Sequence, residues 1–331
     1  MTTSEGTRRV TAADVARSLG VSRATVGFVL NQTPGQTISE ATRRRVLDEA
    51  ERLGYRPHAG AQALARGRSN LALLVLPDWP IDFALRVNLE EAARLLEDAG
   101  YTLVSQARHG DELIRPLWRT LQPDVVLGML PFSEQELRSI RAAGVPRVIP
   151  SSTTLPREDD VPGASLGARI QEQHLHERGH VRLGYARTDD PRLAWLQERR
   201  LQAAIEECER LHLQPPVVTE VGTTPEDGNE AIRRWQQSGV TAILGYNDEV
   251  AARALAAALR AGVRVPDELA VIGHDDTPLA ALLFPSLSSV RIDQASLGRH
   301  MAELMLDAVG ALGHEVMRPE VHVEAVLRET T

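Results

Sequence analysis

Lysine is absent from the 331 residues, so all 37 basic side chains are arginine, set against 45 acidic ones for a net charge of −8. Any contact to a phosphate through a cationic side chain must therefore come from Arg. Cysteine occurs once, at Cys208, which excludes an internal disulfide; within QAAIEECERLHL it reads as an incidental helix residue. No run of 18 apolar residues occurs, which excludes an ordinary membrane-spanning helix. Met1 to Arg9 is polar and lacks the apolar stretch of a secretory signal, so the expected location is the cytoplasm. What remains is ordinary protein, 43% hydrophobic and 25% charged, long enough for two or three domains.

The charge is unevenly spread. Residues 1 to 70 hold eleven Arg against six acids, a net of +5, which leaves −13 for residues 71 to 331. A basic head on an acidic body localises a surface suited to phosphate. Within that head, VTAADVARSLGVSRATVGFVLN (10 to 31) reads as two short helices meeting at a glycine turn. Thr11 and Asp14 form a start signal, Val15, Ala16 and Leu19 give one apolar face, and Gly20 is the stop. Ser22 is placed to cap a second helix from about Arg23 to Leu30; its Val26, Val29 and Leu30 would pack on the first, leaving Arg23, Ala24 and Phe28 outward. A third helix runs from the cap Ser39 through Val46, Leu47, Ala50 and Leu53 to Gly54. Any small helical hairpin shares this spacing, and it is the added charge that turns the reading toward a helix-turn-helix head.

From Leu71 the pattern changes to short apolar runs alternating with helices. The strands expected are 71–77, 101–105, 124–129 and 146–150, then 181–186, 216–221, 241–246 and 269–274, with helices such as Leu89 to Ala99 and Val250 to Ala261 between them. Alternation of this kind implies parallel sheets covered on both faces. Two groups of four imply an α/β body of two doubly wound lobes, with ligands at the carboxyl ends of the strands facing a cleft. Trp79, Phe83, Trp195 and Tyr246 fall near those ends and could offer ring faces, although aromatic residues there also serve as core or rim.

The head segment, followed by ISEATRRRVLDEAERLGYRPHAGAQALARGRS, resembles the head and hinge of the lactose-repressor (LacI/GalR) family of transcription regulators. The resemblance continues in GHVRLGYA, in YNDEVAARALAAALRAGVRVPDELAVIGHDD, in FPSLSSVRIDQASLG and in the terminal Leu327-Arg328-Glu329-Thr330, read as the end of the last strand. It implies a helix-turn-helix head over 1–57, a hinge over 58–69 and a periplasmic-binding-protein-like core over 70–331. The core divides into one lobe of 70–160 plus 291–315 and another of 161–290 plus 316–331. It further implies a homodimer bound to palindromic operator DNA, with Arg23, Ala24 and Phe28 reading bases in the major groove and Thr11, Ser22, Thr25 and Asn31 touching phosphates. The Ala-rich stretch after Pro57 would be a hinge helix that wedges Leu64 into the minor groove, and otherwise a plain linker.

By the same resemblance the polar effector-binding set is Arg200, Asn247 and Asp275, for a small polar effector such as a sugar; Phe83, Trp195 and Tyr246 are added to it for their place near the strand ends. An Arg, an amide and a carboxylate suit hydroxyl groups. Asn247 also reads as the cap of a helix starting at Asp248, Asp275 as a turn residue and Arg200 as an exposed helix arginine. The sequence departs from the family pattern at Gly27, where Ser is usual, at Phe28 and His58, in DWPIDFALRV, and in PGASLG, which lacks the usual Asp at the lobe boundary.

Other chemistries have weaker support. Gly163-Ala164-Ser165-Leu166-Gly167 spells G-x-S-x-G, but polar LPREDDVP precedes it where a hydrolase elbow needs a buried strand. His174, His176 and His180 resemble a metal cluster, yet 174 and 176 point to nearly opposite sides of a helix. The expectation is a regulator, most simply a repressor, with no catalytic residues, metal or cofactor. The alternative is a cytoplasmic small-molecule-binding or enzymatic α/β protein whose head binds no DNA.

Overall fold

The computed structural model describes residues 10–30, 35–55, 68–108, 115–153, 165–317 and 319–331. The contacts divide the chain into two units, Met1–Asn70 and Leu71–Thr331. Asn31 and Leu64, and nearly all of the expected hinge, lie outside the described residues.

In the first unit the helices are α1 (Ala12–Leu19), α2 (Arg23–Leu30) and α3 (Glu40–Arg52). Each begins at a polar residue that ties up the first turn. The Thr11 amide and hydroxyl both donate to Asp14 Oδ2, at 2.9 and 2.6 Å, while Ser22 Oγ accepts from Thr25 N at 3.0 Å and Ser39 Oγ from Thr42 N at 3.2 Å. A cap of this kind is worth about 1 kcal/mol, a large share of what a two-turn helix can gain locally. Gly20 then ends α1 at φ 65°, in the left-handed region. Val15, Val26 and Val46 are fully buried against one another, and Ser18 Oγ donates to Glu49 to join α1 to α3. Leu47 differs from expectation: it is 48% exposed, because Val46 and Ala50, four residues apart, occupy the inner face and turn Leu47 about 100° away. Phe28 also differs, being half-buried where Arg23 and Ala24 are fully outward.

The second unit begins with β1 (Leu71–Leu76), α4 (Phe83–Asp98), β2 (Thr102–Ala107), α5 (Trp118–Leu121), β3 (Val125–Gly128), α6 (Glu134–Ala142) and β4 (Val148–Ile149). Their strands form a parallel sheet in the order β2-β1-β3-β4. The LALLVL run of β1 is apolar throughout because both of its faces are covered: Leu74 and Leu76 meet α4, and Leu73 and Val75 meet Trp118, Phe132 and Ile140.

A second parallel sheet, β6-β5-β7-β8, is built from β5 (Leu183–Arg187), β6 (Val217–Glu220), β7 (Ala242–Gly245) and β8 (Ala270–Ile272). Its helices are α7 (Leu166–Glu177), α8 (Ala194–Arg210), α9 (Pro225–Gln237), α10 (Asp248–Arg260) and the short α11 (Pro278–Leu282). In both sheets the strand order reverses beside the first strand, which opens a crevice between the carboxyl ends of β1 and β3 and of β5 and β7.

The chain then crosses back. β9 (Ser289–Ile292) leads to α12 (Gln294–Ala308), whose Ala302, Met305 and Leu306 are buried with α4 in the first lobe. β10 (Val323–Val326) returns antiparallel to β9. Three boundaries bear on the sequence reading. The helix expected at Leu89 starts at Phe83, because Asp82 Oδ1 accepts from Leu85 N at 2.8 Å. The helix expected over Val250 to Ala261 starts at Asp248, as the reading of Asn247 as its cap has it: Asn247 Oδ1 accepts from Val250 N at 2.9 Å. The last strand ends at Val326, and Arg328 and Thr330 lie beyond it, held by side-chain hydrogen bonds.

Candidate functional site

In the head, the exposed part of α2 is its amino-terminal turn, which carries Arg23 and Ala24 and no acidic residue. That combination can donate to phosphate, because the first amides of a helix have no helical acceptor and the turn carries partial positive charge. Thr11 and Ser22 are exposed caps, while Thr25 is half-buried with its Oγ1 2.8 Å from Ser22 Oγ. Gly27, in the middle of α2, has nothing within 4 Å of where a Cβ would stand.

In the body, the loops after β1, β5, β7 and β8 supply a second group of side chains. Arg200, on α8, is 7% exposed; its Nη2 donates to Asp275 Oδ1 at 3.1 Å and its Nη1 to the Tyr246 carbonyl at 2.6 Å. The same guanidinium lies over the Tyr246 ring, 4.8 Å from the centroid. Asp275 follows β8 at φ 95°, in the left-handed region that a non-glycine residue seldom enters, and also accepts from His274 Nδ1 at 2.7 Å. The structure thus brings Arg200, Tyr246 and Asp275 together. Asn247 stands next to them, half-buried, with its side-chain oxygen engaged in the α10 cap.

Trp195 stacks on Trp79 from the first lobe, with centroids 5.9 Å apart and planes at 23°, and Arg199 lies over its ring at 4.8 Å. Phe83 is half-buried and covered by Arg86 at 5.2 Å.

Burial raises the proton affinity of Asp275, but the Arg200 charge and then His274 outweigh it and hold the carboxyl well below the usual range. Burial likewise opposes the charge on Arg200, and Asp275 more than restores it. The Tyr246 hydroxyl is pushed up to about 12 by burial. His274, fully buried, is pushed down by burial and by Arg200, so it is a neutral donor to Asp275.

Three participants were not singled out from the sequence. Asp82, in the first lobe, is pushed up by burial and feels the charges of both Asp275 and Arg200; its capping position before an apolar periodic run is a legible signal. His274 sits inside the GHDD motif without standing out. Asp276 accepts from Arg291 Nη2 at 2.6 Å and from Arg328 Nη2 at 2.7 Å, which gives the terminal Arg-x-Thr its place; Thr330 Oγ1 donates to the Val271 carbonyl at 2.7 Å.

The motifs of the weaker readings are used otherwise. His174 Nε2 is 3.0 Å from Thr331 Oγ1 and His180 Nδ1 is 2.9 Å from Thr241 Oγ1. No group of three metal-ligating side chains is assembled among the described residues. Ser165 directly precedes α7. Cys208 is buried and its Sγ donates to Glu172 Oε1 at 3.3 Å. No helix among the described residues is long and apolar enough to cross a membrane.

Residues 11–58 match the family described as bacterial regulatory proteins, lacI family, and residues 173–331 match the periplasmic binding protein-like domain. The transcriptional regulator GalS of Salmonella typhimurium is 31% identical, over 92% of this chain and 91% of its own length. The transcriptional repressor PurR of Photobacterium profundum is 28% identical, over 96% and 97%. Among solved structures, the Lac repressor bound to ONPG in its repressed state superposes with a TM-score of 0.77 at 26% identity, covering 98% of this chain and 100% of that one. A complex of the transcriptional regulator CelR with cellobiose superposes with a TM-score of 0.64 at 25% identity, over 98% and 100%. With a three-helix head, two parallel-sheet lobes and a polar cluster at their strand ends, this chain belongs to the LacI family of bacterial regulatory proteins.

Proposed function

We propose that the protein is a repressor that binds palindromic operator DNA as a homodimer and changes its operator affinity when a small polar effector, a sugar or a derivative, occupies the cleft between the lobes. The observation that carries this reading is the buried Arg200–Asp275 pair at the strand ends. A paired guanidinium and carboxylate hold opposite hydrogen-bonding roles at fixed angles, as hydroxyl groups require. Arg200, Asn247 and Asp275 would bind the effector's hydroxyls, with Trp195, Tyr246 and Phe83 as ring faces. The complexes of relatives with cellobiose and ONPG support a carbohydrate.

In the head, Arg23, Ala24 and Phe28 would read bases. Thr11, Ser22, Thr25 and Asn31 would contact phosphates, and Leu64 in a hinge over 58–69 would enter the minor groove. Two heads related by two-fold symmetry give specificity that one short helix lacks. Effector and operator affinities must then be coupled reciprocally. No catalytic step is assigned, and the expected compartment is the cytoplasm.

Selection from random duplexes by the full-length protein tests this reading. Recovery of a two-fold symmetric site is expected, and recovery of no preferred sequence by folded protein would overturn it.

A further inference from the structure

A pocket of about 570 Å³ opens in front of the amino terminus of α7, lined by Ser165, Arg187, Trp195, Glu198, Arg199 and Gln202. It lies beside the Arg200–Asp275 pair but does not include it: Trp195 and Arg199 belong to one flank of α8 and Arg200 to the next. We propose that this pocket is a binding site for an anionic group, a phosphoryl or a carboxylate. The proposal deepens the effector reading above by giving the effector a charged group.

Four observations converge on it. Ser165 is only 8% exposed and its Oγ has no hydrogen-bond partner, so a buried hydroxyl on the pocket wall is left to donate. Ser165 makes no capping bond to α7, a helix of 12 residues with no acidic residue in its first turn. The first amides of α7 stand next to Ser165, at the end of the helix that carries partial positive charge. Arg187, at the carboxyl end of β5, has a buried Nε without a partner. With the Gln197 amide oxygen turned toward it, Nη2 donates at 3.1 Å, and this bond fixes the guanidinium plane. Finally, among the described residues that line the pocket two are arginine and one, Glu198, is a carboxylate, a balance that favours an anion.

Hydroxyl, helix amides and a guanidinium held on one edge are the donor set that a tetrahedral or planar oxyanion accepts. Trp195 lines this pocket and begins the helix that carries Arg200. A ligand with a hydroxylated body at Arg200 and Asp275 and an anionic arm in the pocket would engage both.

Calorimetry of the full-length protein in chloride buffer, with inorganic phosphate in one arm and acetate in the other, tests the site and separates the two anion classes. Saturable binding of one of them is expected, weakened about tenfold or more in Arg187→Gln and also weakened in Ser165→Ala, with both variants retaining the wild-type melting temperature. Should Arg187→Gln fail to fold, Ser165→Ala alone decides. No saturable binding of either ion, or binding left unchanged by the substitutions, would overturn the proposal. So would binding lost in Arg200→Gln but kept in Arg187→Gln, since the ion would then sit in the neighbouring cluster. Operator affinity of the same preparations keeps the two readings apart: anion binding in a protein that selects no DNA would support this site while overturning the regulator.

Discussion

Gly167, in the first turn of α7, lies so close to His274 that a Cβ added there would stand 2.0 Å from the imidazole Nε2. His274 is fully buried and hydrogen-bonded to Asp275, so it cannot swing away without releasing the carboxylate that holds Arg200. Gly167→Ala is therefore expected to lower stability by about 1–3 kcal/mol, the ordinary cost of overpacking a core, and to weaken effector binding. Denaturant unfolding and ligand titration on the same variant check both effects.

Asp275 sits opposite a buried guanidinium, and its removal leaves that charge uncompensated. Asp275→Ala is expected to cost about 3–5 kcal/mol, which would confuse a functional test. Asp275→Asn keeps the shape and one acceptor. It should fold, bind operator in the absence of effector, and lose the effector response. A gel-shift titration with and without a hexose panel reads the difference.

The Trp79–Trp195 stack is a contact between the lobes. An offset stack of this kind is worth about 0.5–1.5 kcal/mol beyond the area it buries. Trp118 and Trp235 are fully buried, so quenching of tryptophan emission by acrylamide reports on the stacked pair. Trp79→Ala should raise the quenching constant by uncovering one face of Trp195, while the melting temperature changes little.

Glu172 is fully buried and its carboxyl is pushed up to about 9, by burial above all. Between the unfolded value of 4.5 and about 9 the folded protein keeps a proton that the unfolded chain releases. The contribution of this group to stability is therefore fully present at low pH, declines across that window by at most about 1.4 kcal/mol per pH unit, and is lost once pH passes the folded value. Glu172→Gln carries no such proton, so its melting temperature should gain on the wild type steadily from pH 5 to pH 8. A gap that stays constant with pH would refute the assignment.

Much of this architecture is written locally in the sequence. The inner strands of the two sheets are legible because parallel strands buried on both faces are nearly unbroken apolar runs, as in LALLVL and TAILG. The head is legible because Thr11, Ser22 and Ser39 are caps followed by apolar spacing. The helix start at Phe83 falls six residues before the expected Leu89 because Asp82 alone sets it, whereas Asn247 reads in the sequence as the cap of the helix that starts at Asp248. β9 is short and its partner is more than thirty residues away, so no neighbouring turn announces it. Of the polar cluster, Arg200 and Asp275 are legible only through family resemblance. Asp82 is legible as a helix cap and His274 not at all; that the two join the cluster arises from segments brought together across the fold, and no spacing in the chain encodes that meeting.

The most direct measurement is the affinity of the full-length protein for its selected duplex and for a scrambled duplex across a range of salt concentrations, repeated with Arg23→Ala. The expected result is an affinity that falls steeply with salt for both duplexes, because arginine contacts release counterions. The selected site should be clearly preferred, and that preference should shrink by about 1–3 kcal/mol in Arg23→Ala, the loss expected of a side chain proposed to read a base edge. Affinity indifferent to salt, with no preference between duplexes and no effect of the substitution, would contradict the account of this chain as a DNA-reading regulator.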